Sequence, residues 1–152
     1  MPNVFDVAKY MLEKRGPMSA MKIQKLCYYA QAWYLVWEDA HLFEEDFYAW
    51  ESGPVCIDSF DKTRGKYMLR LEDETGGTGY LTETQKEIID KVLDFYAPHD
   101  AQWLGRLASL ESPWKNAKAS ELPNSNIPQL ISKDSIKKYY FLLSKENNNQ
   151  MS

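Results

Sequence analysis

Two cysteines, two histidines and a run of three acids are the side chains in this 152-residue sequence best suited to covalent, metal or acid–base chemistry. Cys56 follows the turn signal Gly53-Pro54 and falls near the start of a short helix, where the helix dipole would lower a thiol pKa. A thiolate nucleophile also needs a base, and His41 and His99 stand in no cysteine-protease context, so Cys56 reads as a buried structural residue. Cys27 lies on an apolar helical stripe and reads as packing. No HxxxH or CxxC spacing occurs, which argues against a metal site and leaves no cofactor implied. The TGGTG at residues 75–79 lacks the Lys-Ser/Thr of a phosphate loop and reads as a turn.

Binding is better represented than bond-making. From Glu38 to Glu51 there are six acids and no Lys or Arg, among them Glu44, Glu45 and Asp46, beside Phe43, Phe47, Tyr48 and Trp50. Such a stretch makes a negatively charged aromatic surface suited to a basic site on another protein. The alternative is a solvated edge hairpin whose charge blocks strand-to-strand aggregation.

The helix before it, KIQKLCYYAQAWYLVW at 22–37, carries two stripes. Ile23, Leu26, Cys27, Ala30, Trp33, Tyr34 and Trp37 follow the i, i+3, i+4 rule of a core face. Gln24, Tyr28, Gln31 and Leu35 form a half-polar stripe beside it. If half buried, Tyr28 and Gln31 need hydrogen-bond partners, which Trp50 and the Gly53-Pro54 turn could supply. Otherwise they line a shallow aromatic groove open to a partner.

The elements around these segments are mostly helical. Asn3 caps a first helix that ends at Gly16-Pro17, and Ser19 caps the second, roughly 20–37. FYAW at 47–50 reads as a short strand, Pro54 as the opening of a short helix to about Lys62, and Gly79-Tyr80-Leu81 as a return strand after a loop at 72–79. Thr82 and Gln85 box a helix facing inward with Ile88, Ile89, Val92, Phe95 and Tyr96. Asp100 caps another, with Trp103, Leu104, Leu107 and Leu110 inward, and 115–130 read as irregular. A last helix over about 133–144 buries Ile136, Tyr139, Tyr140 and Leu143. The expectation is a mainly α, compact single-domain bundle of five to six helices over 1–144, with a small β-hairpin or short strands in the middle. A disordered tail is expected over 145–152.

Net charge −4 and a pI near 5.2 argue against nucleic-acid binding. No apolar run reaches membrane-spanning length and the N-terminus lacks a secretory layout, so a cytoplasmic protein with reduced thiols is expected. The oligomeric state is not legible.

Three segments carry a family resemblance in order and spacing. KIQKLCYYAQAWYL, LFEEDFYAWESGPV and ESPWKNA, followed by a final I-x-x-YY-F helix, resemble the Panacea domain of phage-associated GepA-like and SocA-like proteins. The matching positions include Lys22, Gln24, Lys25, Tyr28, Tyr29, Gln31, Trp33, Leu42, Phe43, Trp50, Gly53, Pro54, Pro113 and Trp114. The chain departs from the pattern at CIDSFDKTRGKY after Val55 and at Ala108-Ser109 before the ESPW segment. The resemblance implies a non-enzymatic antitoxin that neutralises a cognate toxin by direct protein–protein contact. A branch of such proteins delivers the toxin to a host protease instead, and an uncharacterised enzyme is a more distant alternative. On this view Gln24, Tyr28, Gln31 and the 43–50 segment are the partner-binding candidates. Lys25, Trp33, Gly53, Pro54 and Trp114 are then scaffold.

Overall fold

The computed structural model describes the backbone of residues 1–151 and the side chains of residues 1–146. The tail expected to be disordered lies largely outside the described side chains. Seven α-helices occur among the described residues, one more than the sequence suggests: α1 (Val4–Arg15), α2 (Ala20–Glu38), α3 (Ile57–Lys62), α4 (Glu83–Tyr96), α5 (Ala101–Ser109), α6 (Ser112–Ala119) and α7 (Lys133–Met151). The strands are short: β1 (Met18–Ser19), β2 (Phe47–Trp50), β3 (Gly53–Val55), β4 (Met68–Leu69) and β5 (Gln129–Ile131). β1 pairs antiparallel with β4, and β2 lies between β3 and β5, antiparallel to both.

Helix α2 is the axis of the molecule. It starts at the cap Ser19, whose hydroxyl accepts from the Lys22 amide, and ends at Asp39 in the left-handed region. Every residue from Ile23 to Leu35 is buried, because α1, α4, α5, α7 and the β2–β3 hairpin pack around it. A helix enclosed on all sides has no solvent face to keep polar, which explains rings on nearly every side. Tyr29 stacks on Tyr96 with centroids 4.1 Å apart, and Tyr28 meets Phe47 edge-on at 5.4 Å. The Trp33 indole N–H donates to the Tyr96 hydroxyl at 2.9 Å.

Trp37, expected in the core, is 45% exposed. The last turn of α2 emerges from the bundle there, and Trp37 lies against Trp33 at 5.3 Å with the Lys91 ammonium over its ring. Phe95 is also outside, since the buried stripe of α4 runs through Ile88, Ile89, Val92, Leu93 and Tyr96. On α5, Leu104 and Ala108 face inward while Leu110 is exposed and Trp103 stacks on His99 at the surface, 3.6 Å away.

Three local expectations fail for identifiable reasons. Residues 79–81 form no return strand. Thr78–Tyr80 is a 3₁₀ turn, because the loop is fastened to α1: the Gly77 amide donates to Asp6 Oδ1 at 2.8 Å. A Cβ on Gly76 would lie 2.3 Å from the Phe5 carbonyl, so only glycine allows this approach. Pro54 opens no helix. It sits in edge strand β3 opposite Ala49, a position that asks no amide of it. The stretch 115–130 is only partly irregular, with α6 at its start and β5 at its end.

Three carboxylates are buried without an ion pair among the described residues: Asp6, which accepts from the Asn3 and Gly77 amides, Glu74 and Glu111. Glu111 accepts from the Tyr29 and Tyr140 hydroxyls at 2.7 Å each, yet burial holds its pKa above the usual carboxylate range. Glu74 is 4% exposed, its Oε1 has no hydrogen-bond partner among the described residues, and burial pushes its pKa up to about 7 from 4.5. A carboxyl whose folded pKa is raised binds its proton more tightly in the native state. Its influence is absent below pH 4.5 and grows into a destabilisation as pH rises toward 7. The lowered pKa of Lys25, about 7, works the opposite way, adding stability as pH rises from there toward 10.5, and contributes little below pH 7. Denaturant unfolding should show the protein more stable at pH 5 than at pH 6.5, with Glu74 responsible for up to about 2 kcal/mol of the difference. Glu74→Gln should flatten the profile. An unchanged profile in that variant would remove Glu74 as the cause.

Candidate interaction surface

The polar stripe of α2 fastens the 42–59 segment from beneath. Gln31 Nε2 donates to the Phe43 carbonyl at 2.6 Å, and its Oε1 accepts from the Leu42 amide at 2.8 Å. Two turns earlier, Gln24 Oε1 accepts from the Cys56 amide at 2.8 Å and its Nε2 donates to Ser59 Oγ at 3.1 Å. Between them, Lys25 Nζ donates to the Pro54 carbonyl at 3.1 Å. The Tyr28 hydroxyl lies 3.2 Å from that of Tyr140. Gln24, Tyr28 and Gln31 are each at most 2% exposed. Their hydrogen bonds are satisfied internally, as polar groups in a core require, and they present nothing to a partner in this conformation.

Phe43 and Phe47 are likewise core residues, at 0% and 1% exposure, and not the surface aromatics suggested by the sequence. Alternation along β2 explains this. Phe47 and Ala49 point inward, which turns Tyr48 and Trp50 outward and leaves them half-buried. Cys56 is buried as the N-cap of α3, and burial raises its thiol pKa to about 11, opposite to the lowering expected from the helix dipole. Cys27 is fully buried and shifted the same way.

What the loop and hairpin display is acidic. Glu44, Glu45, Asp46 and Asp58 surround an open hollow of about 290 Å³, with Tyr48 and Ile57 completing its wall. Glu45 Oε1 accepts from the Val4 amide at 3.1 Å, at the positive end of α1. Asp46 Oδ1 is 2.5 Å from Lys133 Nζ, which also donates to the Glu44 carbonyl at 2.8 Å. One cation thus clamps the loop, while Glu44 and Asp58 stay exposed. No set of three or more His, Cys, Asp or Glu side chains suited to a metal ion occurs among the described residues.

The hollow continues onto the outer face of the sheet. Tyr48 is paired with Leu130 of β5, which is 49% exposed. Trp50 packs its ring edgewise on Phe60 at 5.2 Å and lines a neighbouring hollow with Glu51, Lys118, Glu121 and Pro128. Its indole N–H is buried without a hydrogen-bond partner among the described residues. The Trp114 indole donates to the Trp50 carbonyl at 2.8 Å, which fixes α6 behind the strand. Of the positions read as scaffold, Lys25 and Trp33 are buried within α2, Trp114 is half-buried, and Gly53 turns the hairpin at φ 114 with Pro54 beside it.

Asp58, Ile57 and Leu130 were missed in the sequence. Asp58 had one visible signal, an acid in the first turn of a short helix directly after a hairpin. Leu130 had none, since its place depends on pairing across more than eighty residues.

The family model for the antitoxin SocA-like Panacea domain matches residues 23–115, more than half of the chain. The chain belongs to this family. No curated protein and no solved structure matches it. The Panacea match begins inside α2 and ends inside α6, so it takes in the buried stripe, the acidic hollow and the Trp114 strut. No helix among the described residues is long and apolar enough to cross a membrane.

Proposed function

We propose that this Panacea-domain protein is an antitoxin that neutralises a cognate toxin protein by occluding it. In this reading the acidic hollow and the adjoining Tyr48, Trp50 and Leu130 face a basic surface of the toxin. The observation that carries the reading is the convergence of Glu44, Glu45, Asp46 and Asp58 around one hollow beside half-exposed rings. Such a face suits electrostatic steering at its rim and aromatic anchoring at its centre.

The test is co-purification with the product of the adjacent gene, followed by rescue of growth when the two are co-expressed. A stoichiometric complex and protection are expected. Charge reversal at the two exposed acids, Glu44→Lys with Asp58→Lys, should weaken the complex tenfold or more, mainly by slowing association, and the loss should shrink at high salt. Absence of any complex with that gene product would sink the antitoxin reading. A full-strength complex in the double variant would sink the assignment to this face.

A further inference from the structure

A second opening lies on another side of the hairpin, between the start of α2, the β2–β3 turn and α5. It encloses about 810 Å³, the size of a small-molecule site. In a chain of net charge −4 its lining is unusual: Lys22, Lys25 and Arg106 all border it. Lys25 is 1% exposed, and the Pro54 carbonyl is its one acceptor among the described residues, so two of its three donor positions are unused. Arg106 is exposed and forms no ion pair or side-chain hydrogen bond among the described residues.

The acids nearby are already engaged. Glu51 pairs with Lys118 at 2.7 Å, and Asp100 Oδ1 accepts the Trp103 amide as the cap of α5. Lys22 Nζ donates to the Ala97 carbonyl at 2.6 Å. Burying an ammonium without a carboxylate is costly and draws the Lys25 pKa down to about 7. The floor is rigid. A Cβ on Gly105 would stand 2.3 Å from the Ser52 carbonyl oxygen, so the turn rests directly on α5. At the rim Tyr67 is 79% exposed and offers a flat ring.

We propose that this cleft binds a small organic phosphate with a planar ring, such as a nucleoside monophosphate. Lys25, Lys22 and Arg106 take the phosphate, and the ring stacks on Tyr67. An incoming dianion supplies the counter-charge that Lys25 lacks. Binding and protonation of Lys25 are therefore linked, with Glu51, Asp100, Lys22, Arg106 and Tyr67 as the other ionisable groups bordering the cleft.

The experiment is an amide chemical-shift titration of the purified full chain with AMP, adenosine and sulfate. AMP should give saturable shifts centred on Gly53, Gly105 and Arg106, and adenosine at least tenfold weaker ones. Arg106→Ala should weaken AMP at least tenfold, and Tyr67→Ala should weaken AMP but not sulfate. Sulfate keeps its charge between pH 6 and 8.5, so its tighter binding at pH 6 would report Lys25. Lys25→Met should abolish that pH dependence. If Lys25→Met fails to fold, Arg106→Ala and Lys22→Ala still decide the matter. Unsaturable shifts scattered over the surface, or wild-type affinity for AMP in Arg106→Ala, would overturn the proposal.

Discussion

Tyr140→Ala is expected to lower the unfolding free energy by about 4–5 kcal/mol and the midpoint temperature by roughly 10–15 °C. The ring is fully buried and touches the rings of Tyr28, Tyr29 and Trp33 at 6.1, 6.0 and 5.6 Å, so its removal opens a cavity at the contact between α2 and α7. It also strips Glu111 of one of its two hydroxyl donors. Tyr140→Phe separates the two effects. The ring remains and only the hydroxyl is lost, so the cost should fall to about 1–3 kcal/mol. Thermal and denaturant unfolding of both variants measures this. Equal losses would mean that the carboxylate–tyrosine cluster, and not packing, holds α7 in place.

The second large effect is expected at Gln31. Gln31→Ala leaves the Leu42 amide and the Phe43 carbonyl buried without partners and adds a cavity, for a loss of about 3 kcal/mol. On the proposed function, the same change should also weaken the complex with the toxin, although Gln31 is only 1% exposed. Leu42 and Phe43 anchor the loop that displays Glu44, Glu45 and Asp46, and that loop would lose its fixed course. Tyr29→Phe, which strips Glu111 of its other hydroxyl donor away from the hollow, should cost about 1–3 kcal/mol while leaving the acidic loop in place. If the two variants impair binding equally, general loosening and not loop position is responsible.

Much of the architecture could be read from periodicity and caps. Asn3, Ser19, Thr82 and Asp100 each cap the helix predicted for them. The acidic stretch was also visible, and it does gather around one hollow. What could not be read was which of its rings point outward. In the loop, Phe43 is drawn inward by the bonds that its own carbonyl and the Leu42 amide make to Gln31, and in the strand a single pleat separates Phe47 from Tyr48. Composition is blind to both. The stripe on α2 was ambiguous for a related reason. Gln and Tyr at those positions suit a groove or a fastened core equally, and only the backbone groups of Leu42, Phe43 and Cys56, brought from elsewhere in the chain, decide between them. Trp37 was misplaced because helical spacing continues past the point where neighbouring elements stop, and Phe95 because the buried face of α4 runs through Leu93 and Tyr96 instead.

The central hairpin has its third strand supplied from more than eighty residues further along the chain, with Phe47 beside Ile131 and Asp46 tied to Lys133. A ribosome-bound chain that has emerged only as far as α6 therefore has Tyr48 without Leu130 and the acidic loop without its clamp. The displayed face is completed only once residues 129–133 have been made. Fragments cut short of residue 133 would carry every acid of the hollow and still lack its shape.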